Sequence, residues 1–265
     1  MTTKQRTLIA IITLGLLLWG LAKLPLPYTQ EKKLNPVNVA NTNPQFIQNN
    51  TVISQLTNEI KSTISAPAKI VPLKPRPVPF TAQAPFGDWQ DPRQQDGCEE
   101  ASLVMAWHWI EGTTFTKSQA LDEILAISAF EEKTIGEWRS TSAEDTAKIF
   151  REYYNYNNIT VQHDISAEDI KASLIDGNLV LVPTDGRKLG NPYYRQPGPP
   201  EHMLVIFDYD EKTDEFVTND PGTRRGQNYR YKSNVVAQAI VDYPTGHREP
   251  NPNPQTAMII IQPSS

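Results

Sequence analysis

The sequence predicts an α+β domain in which a helical half precedes a strand-rich half. Three observations carry this. Capped segments of helical period follow one another between Glu99 and Gly177, and short β-prone runs take over from Leu179 onward. Before both, near Val78, a Pro- and Asn-rich stretch gives way to the patterned region. The organisation read from this is an N-terminal hydrophobic segment (1–26), a linker (27–77) and one folded domain (78–265).

Composition sets the outer limits. The chain has 265 residues, of which 38% are hydrophobic and 21% charged, with a net charge of -5. That is an ordinary globular balance with room for one well-packed domain. A mildly acidic chain without clustered Lys and Arg lacks the electrostatic footprint of a nucleic-acid binder. The single cysteine, Cys98, excludes an internal disulfide and the cysteine-rich ligand sets of structural zinc. It is a buried small hydrophobe, an intermolecular thiol or a nucleophile.

Lys4 and Arg6 precede a nearly apolar run from Leu8 to Ala22, the pattern of an export signal. Extended to Leu26 with Lys23 snorkelling, the run reaches the roughly 17–25 residues of a membrane-spanning helix. Gly20 and Ala22 also offer the small residues of a cleavage site, so an uncleaved anchor and a cleaved signal peptide are the two readings. Both place the domain outside the cytoplasmic membrane, because the positive residues stay inside. Residues 27–77 have too little apolar surface to offset ordering entropy, which predicts a disordered tether. Within it, Val52, Ile53, Leu56, Ile60 and Ile64 recur at helical spacing, and Val71–Pro79 is a polyproline-like spacer.

Inside the domain, Glu99–Ile110 is apolar almost all round after its first turn, as in a buried helix. Thr116 with Gln119 forms a capping box for a second helix, Ser142 with Asp145 caps a third, and Ser166 with Asp169 starts a shorter one ended by Gly177. Strands are predicted at 179–183, 203–209, 215–218, 227–231 and 257–262. If strands 203–209 and 215–218 pair across a turn at 210–214, His202 falls opposite Asp220. An imidazole beside a carboxylate is the orienting half of a nucleophilic triad. Cys98, at a helix start, supplies the other half: the helix dipole and a nearby imidazolium would lower its pKa toward a thiolate. The Cys98 backbone amide is a first-turn donor free to meet an oxyanion. A glutamine upstream would complete that site, and Gln83, Gln94 and Gln95 are candidates.

The segments V-P-F-T-A-Q-A-P-F-G-D-W, D-G-C-E-E-A-S, E-H-M-L-V-I-F-D-Y-D and N-D-P-G-T-R-R-G resemble family thirty-nine of the cysteine peptidases, in its stand-alone branch, from Val78 to about Gln262. The resemblance implies a papain-like fold and a thiol peptidase acting on a peptide or protein. By motif, Cys98 matches the nucleophile, His202 the base, Asp220 the orienting residue and Gln83 the oxyanion glutamine. Gln94 or Gln95 takes that last role if the insertion containing Trp89 displaces Gln83. Glu201 and Asp208 stand where the family usually has glycine, and neither change removes a catalytic side chain. Export of leader peptides is not implied, since no transporter or nucleotide-binding region accompanies the domain. An acyl-transferase or amidase on the same machinery, and a catalytically silent peptide-binding module, are the alternatives.

Other features read as structural. His108 sits within the apolar helix, while His163 and His247 lie in polar stretches. Gly222–Gly226 lacks the Gly-Lys-Ser/Thr ending of a phosphate-binding loop, so no nucleotide is expected. Neither a cofactor nor a metal is expected.

Overall fold

The computed structural model describes residues 77–246 and 254–263. The predicted anchor, the linker up to residue 76 and His247 lie outside them. Among the described residues no helix is long and apolar enough to cross a membrane.

A short helix, α1 (Pro92–Gln95), opens on an Asp91 cap. It leads through Gly97 into α2 (Cys98–Glu111), whose Ala101, Leu103, Val104, Met105 and Ala106 are wholly buried. Helix α3 (Lys117–Ile135) begins at the predicted box: Thr116 Oγ1 accepts from the Gln119 amide at 3.3 Å, and Gln119 Oε1 accepts from the Thr116 amide at 2.9 Å. Ser142 caps α4 (Ala143–Tyr154) through the Asp145 amide. Its partner in the motif, Asp145, turns away to accept from Thr245 at 2.6 Å, so this cap is one-sided. After β1 (Ile159–His163), the Asp169 carboxylate accepts from both the amide and hydroxyl of Ser166 at the start of α5 (Ala167–Ile175).

The rest of the chain is β2 (Leu179–Thr184), a short α6 (Gly186–Leu189), β3 (His202–Asp210), β4 (Glu215–Asn219), β5 (Tyr229–Lys232), α7 (Ser233–Ala239) and β6 (Ala257–Ile261). The six strands form one sheet in the order β1-β6-β2-β3-β4-β5, with every pair antiparallel. Four of these elements, β1, α1, α6 and α7, are not among the predicted ones. The β1 segment is an edge strand with a single buried residue, Ile159, so it carries little apolar signal. The other three are helices of seven residues or fewer, below the length at which periodicity separates them from loops.

Both faces of the sheet are covered. One face packs Leu179, Leu181, Met203, Val205, Ala257 and Ile259 against α2, α3 and α4. The other packs Val180, Val182, Leu204, Ile206, Phe216 and Met258 against Ile170 of α5 and Val236 and Ala239 of α7. This explains why 179–183 reads as an unbroken apolar run rather than an alternating one: a strand buried on two sides has no polar face. Each large side chain so buried contributes roughly 1.5–3 kcal/mol.

The β3–β4 hairpin departs from the predicted pairing. Asp210 pairs with Glu215, Tyr209 with Phe216 and Asp208 with Val217. Beyond a bulge at Phe207, Ile206 pairs with Thr218 and Val205 with Asn219. Extended past Asn219, that register puts His202 opposite Gly222, two positions beyond the predicted Asp220. Slippage by two preserves the face, whereas slippage by one reverses it. Without the extra residue at Phe207, the turn-proximal register would carry through and set His202 and Asp220 on opposite faces.

Candidate active site

Cys98 begins α2 directly after Gly97, which has no side chain to cap the helix. Its first-turn amides therefore receive no acceptor from the capping residue. Glycine is required there by close approach: a Cβ would stand 2.5 Å from the Arg93 carbonyl oxygen. The thiol is buried with 5% exposure. The backbone amide of Met203 in β3 lies near enough to Sγ to draw its pKa down, which brings the thiol to the residue following His202.

His202 opens β3. Thr184 Oγ1 donates to its carbonyl oxygen at 3.0 Å, holding the backbone. The ring is 1% exposed, and its Nε2 meets Asp220 Oδ1 at 2.9 Å. Nδ1 is left outside that pair. Tyr194 packs edge-on to the imidazole at a centroid distance of 5.4 Å.

Asp220 is wholly buried and fully satisfied. Besides His202, its Oδ1 accepts from the Gly222 amide at 3.0 Å. Its Oδ2 accepts from Asn191 Nδ2 at 2.9 Å, from the Tyr194 hydroxyl at 2.6 Å and from the Tyr231 hydroxyl at 2.6 Å. Burial pushes the carboxyl up, but the His202 imidazole and the donated hydrogen bonds outweigh it and hold the pKa below the ordinary value. A carboxylate held this way orients and stabilises the ring rather than taking its proton. Asn191, Tyr194 and Tyr231 escaped sequence reasoning, since they come from a loop and a strand far apart in sequence. The Tyr-Tyr pair in N-P-Y-Y was the only available hint.

Asn219, the neighbour of Asp220, does not face the ring. Its Nδ2 donates to the Val78 and Pro79 carbonyls at 3.2 Å, and its Oδ1 accepts from the Asn228 amide at 3.1 Å. That ties the start of the domain to the end of β4.

Gln83 is brought to the same region: its amide N–H donates to the Pro221 carbonyl at 2.9 Å. Its side-chain Nε2 donates to the Gln94 carbonyl at 3.0 Å and the Gln95 carbonyl at 2.6 Å. Both amide hydrogens are thus engaged by backbone, so Gln83 braces α1 in this structure rather than offering a free donor to an oxyanion. Gln94 is buried and its Nε2 reaches Asp91, and Gln95 is exposed. The Cys98 amide is the donor that the helix start leaves in place.

One expectation is reversed. Cys98 is not drawn toward a thiolate: burial raises its pKa well above the ordinary value, and the Glu99 carboxylate beside it raises it further, with the Met203 amide pulling weakly the other way. Sγ donates to Glu99 Oε2 at 3.0 Å. Desolvation is the larger effect and the carboxylate of the very next residue adds to it, and together they outweigh the partial charge of the helix dipole.

Elsewhere, His108 is satisfied by Thr113 Oγ1 at 2.7 Å and Glu123 Oε2 at 3.1 Å, and His163 meets Glu144 at 3.1 Å. Among the described residues, no group of three or more His, Cys, Asp or Glu stands placed to hold a metal ion. Residues 222–226 form the turn that closes on Asp220, whose amide donates to the Gly226 carbonyl at 3.0 Å.

Comparison with known proteins adds a family to this geometry. The model of the Peptidase_C39 like family matches residues 76–245. A crystal structure described as a C39-like peptidase from Bacillus anthracis is similar at 16% identity and a TM-score of 0.40, covering 71% of this chain and 96% of that one. Among curated proteins no match is found.

Proposed function

From the premise that this chain belongs to the Peptidase_C39 like family, we propose that it is a thiol peptidase of papain-like arrangement, with Cys98 as nucleophile, His202 as proton donor and Asp220 as its orienting carboxylate. Family membership points to a peptidase with a peptide or protein as substrate. The single observation that supports the finer assignment is the buried His202–Asp220 pair at 2.9 Å, with His202 on the strand whose next residue, Met203, has its amide near the Cys98 sulfur.

In this reading the Cys98 S–H bond breaks, its proton passing to a base beside the sulfur, as Sγ attacks the scissile carbonyl; the Sγ–C bond forms, and the carbonyl π pair becomes an oxyanion facing the Cys98 amide. The C–N bond then breaks, and the departing amine takes a proton from His202. Water attacks the thioester, returns a proton to His202 and releases the acid and Cys98. Asp220 keeps Nε2 engaged throughout, so Nδ1 is the nitrogen that exchanges protons with the reactants.

The hydrophobic run at 8–22 and the linker after it support a tether that holds the domain outside the membrane, near envelope proteins or peptides. Identification of new protein N-termini in cells carrying the wild-type chain or Cys98→Ala tests the peptidase assignment. Termini that depend on the thiol are expected, and identical sets from the two would refute it. The elevated thiol pKa favours a second reading, a silent module that binds peptides without cleaving them. Peptide binding retained by a wild type that produces no new termini would select it.

A further inference from the structure

Among the described residues, Glu99 is the one ionisable side chain hydrogen-bonded to the Cys98 sulfur, and the mechanism above makes no use of it. It is 1% exposed and bound on both oxygens: Oε2 accepts from Sγ at 3.0 Å, and Oε1 accepts from the Tyr243 hydroxyl at 2.6 Å. A thiol and a phenol are both donors, so a carboxyl whose two oxygens each receive one is matched to its ionised form. Tyr243 is itself buried and comes from the segment after α7, against the start of α2. Helix α2, the post-α7 segment and β3 thus converge on one proton. The sulfur's hydrogen-bond acceptor is Glu99 and not His202.

We propose that Glu99 is a further catalytic residue of this site: it holds the Cys98 proton at rest and accepts it when the thiol attacks, with Tyr243 fixing the carboxylate in place. The proposal deepens the peptidase reading and rests on it. In the step, the S–H bond breaks as an O–H bond forms on Oε2. The sulfur electron pair forms the Sγ–C bond, and the carbonyl π pair moves onto oxygen. When water later releases the acyl group, the departing thiolate recovers that proton from Oε2. The enzyme therefore rests as a neutral thiol beside a carboxylate, and His202 is left to serve the leaving amine and the water.

The groups facing this pair are few. On α2 there is Glu100, and across from it on α3 stands Glu131. On β3 are His202 and the Met203 amide; Tyr243 has Asp242 beside it. Burial raises the Glu99 carboxyl, and the Tyr243 hydroxyl and the thiol draw it back. A carboxylate with a raised pKa is the better proton acceptor for a thiol.

The chain has one cysteine, so the pH profile of iodoacetamide alkylation reports this sulfur alone. It is measured on the full chain for wild type, Glu99→Gln and Tyr243→Phe, beside hydrolysis of a peptide pool. Removing the negative charge in Glu99→Gln should move the profile to lower pH. Alkylation at pH 7 then rises roughly tenfold for each pH unit the profile moves, while hydrolysis falls at least about tenfold. Tyr243→Phe, which makes Glu99 easier to protonate, should move the profile the same way by less. Alkylation gained while hydrolysis is lost is a signature that a purely structural Glu99 does not produce. Unmoved profiles in both variants, or Glu99→Gln hydrolysing at the wild-type rate, overturn the proposal. A wild type that cleaves nothing, with the profiles moving as expected, removes the peptidase reading and leaves Glu99 as proton partner of the thiol. If Glu99→Gln does not fold, Tyr243→Phe decides alone by the direction in which its profile moves.

Discussion

His202 and Asp220 meet at 2.9 Å although the strand ladder does not make them partners: it sets Val205 against Asn219, and both residues lie beyond its last pair. Their contact is a diagonal one across the open end of the hairpin, within reach of long side chains. The bulge at Phe207 turns them to the same face. This pair and the ring of donors behind it are where substitution should be most informative.

Asp220→Asn should lower kcat strongly, by up to about four orders of magnitude on the serine-protease precedent. The new amide would also set an N–H group against donors from Asn191, Tyr194 or Tyr231, so melting curves must accompany the kinetics. Tyr231→Phe removes one of several donors to the carboxylate and should cost kcat about tenfold or less. Asn219→Ala is the contrast. Its bonds are to Val78, Pro79 and Asn228, so it should lower stability by about 1–3 kcal/mol and leave kcat of the folded fraction in place. A larger kcat effect at Asn219 than at Asp220 would show that the orienting residue is misassigned.

Gly222 lies flat against the pair. A Cβ there would stand 2.9 Å from His202 Cε1 and from Tyr194 Cε1. Gly222→Ala should therefore displace the imidazole and reduce kcat/KM by about tenfold to a hundredfold, the scale of a misplacement near 1 Å. Gly97→Ala meets backbone instead, at Arg93, and should act mainly on thermal stability. Steady-state kinetics and melts of both variants separate the two effects.

Glu100 and Glu131 face each other between α2 and α3, both wholly buried, and among the described residues their carboxyl oxygens have no hydrogen-bond partner of good geometry. Burial raises both pKa values well above the ordinary carboxyl range, and neighbouring negative charge adds to it, that of Glu131 at Glu100 and that of Glu99 at Glu131. Groups with raised folded-state values bind protons more tightly in the folded chain. Their contribution is complete below the unfolded pKa of about 4.3 and is lost as pH rises through the folded values. Glu131→Gln should accordingly raise the melting temperature at pH 8, by roughly 2–4 °C per kcal/mol gained, with the gain shrinking toward pH 4. A gain that grows toward acid would reverse the assignment.

The proposed orientation at a membrane rests on Lys4 and Arg6 beside the apolar run. Protease added to intact spheroplasts should digest the chain beyond Pro25 while sparing the first residues. Protection of the whole chain until the membrane is permeabilised would put the domain on the cytoplasmic side and remove the proposal of an envelope substrate.

Capping residues were legible because a cap is a local contract between side chain and backbone a few residues apart: Thr116 with Gln119 and Ser166 with Asp169 read from sequence as they fold. The strands of the central sheet were legible for a related reason, since 179–183 and 203–206 are apolar on both faces. Cys98, His202 and Asp220 could be nominated from a helix start, a hairpin and four short motifs.

What no local pattern carries is the relation between segments distant in the chain. The extra residue at Phe207 depends on how β3 lies on its neighbours, and its effect on parity decides which side chains meet. Three donors from two separate elements surround Asp220, and the Gln83 amide is consumed by α1. The charge state of Cys98 is illegible in the sequence for the same reason. A helix dipole can be read from a helix start, but burial and the aim of the Glu99 carboxylate exist only once α2, β3 and Tyr243 have packed together. Sequence alone thus determined which residue types stand at which element ends, because caps, periodicity and turns act over a few residues. Tertiary packing alone decided which of them touch and which proton each holds, because desolvation and Coulomb energies depend on distances that the chain sets only when it closes on itself.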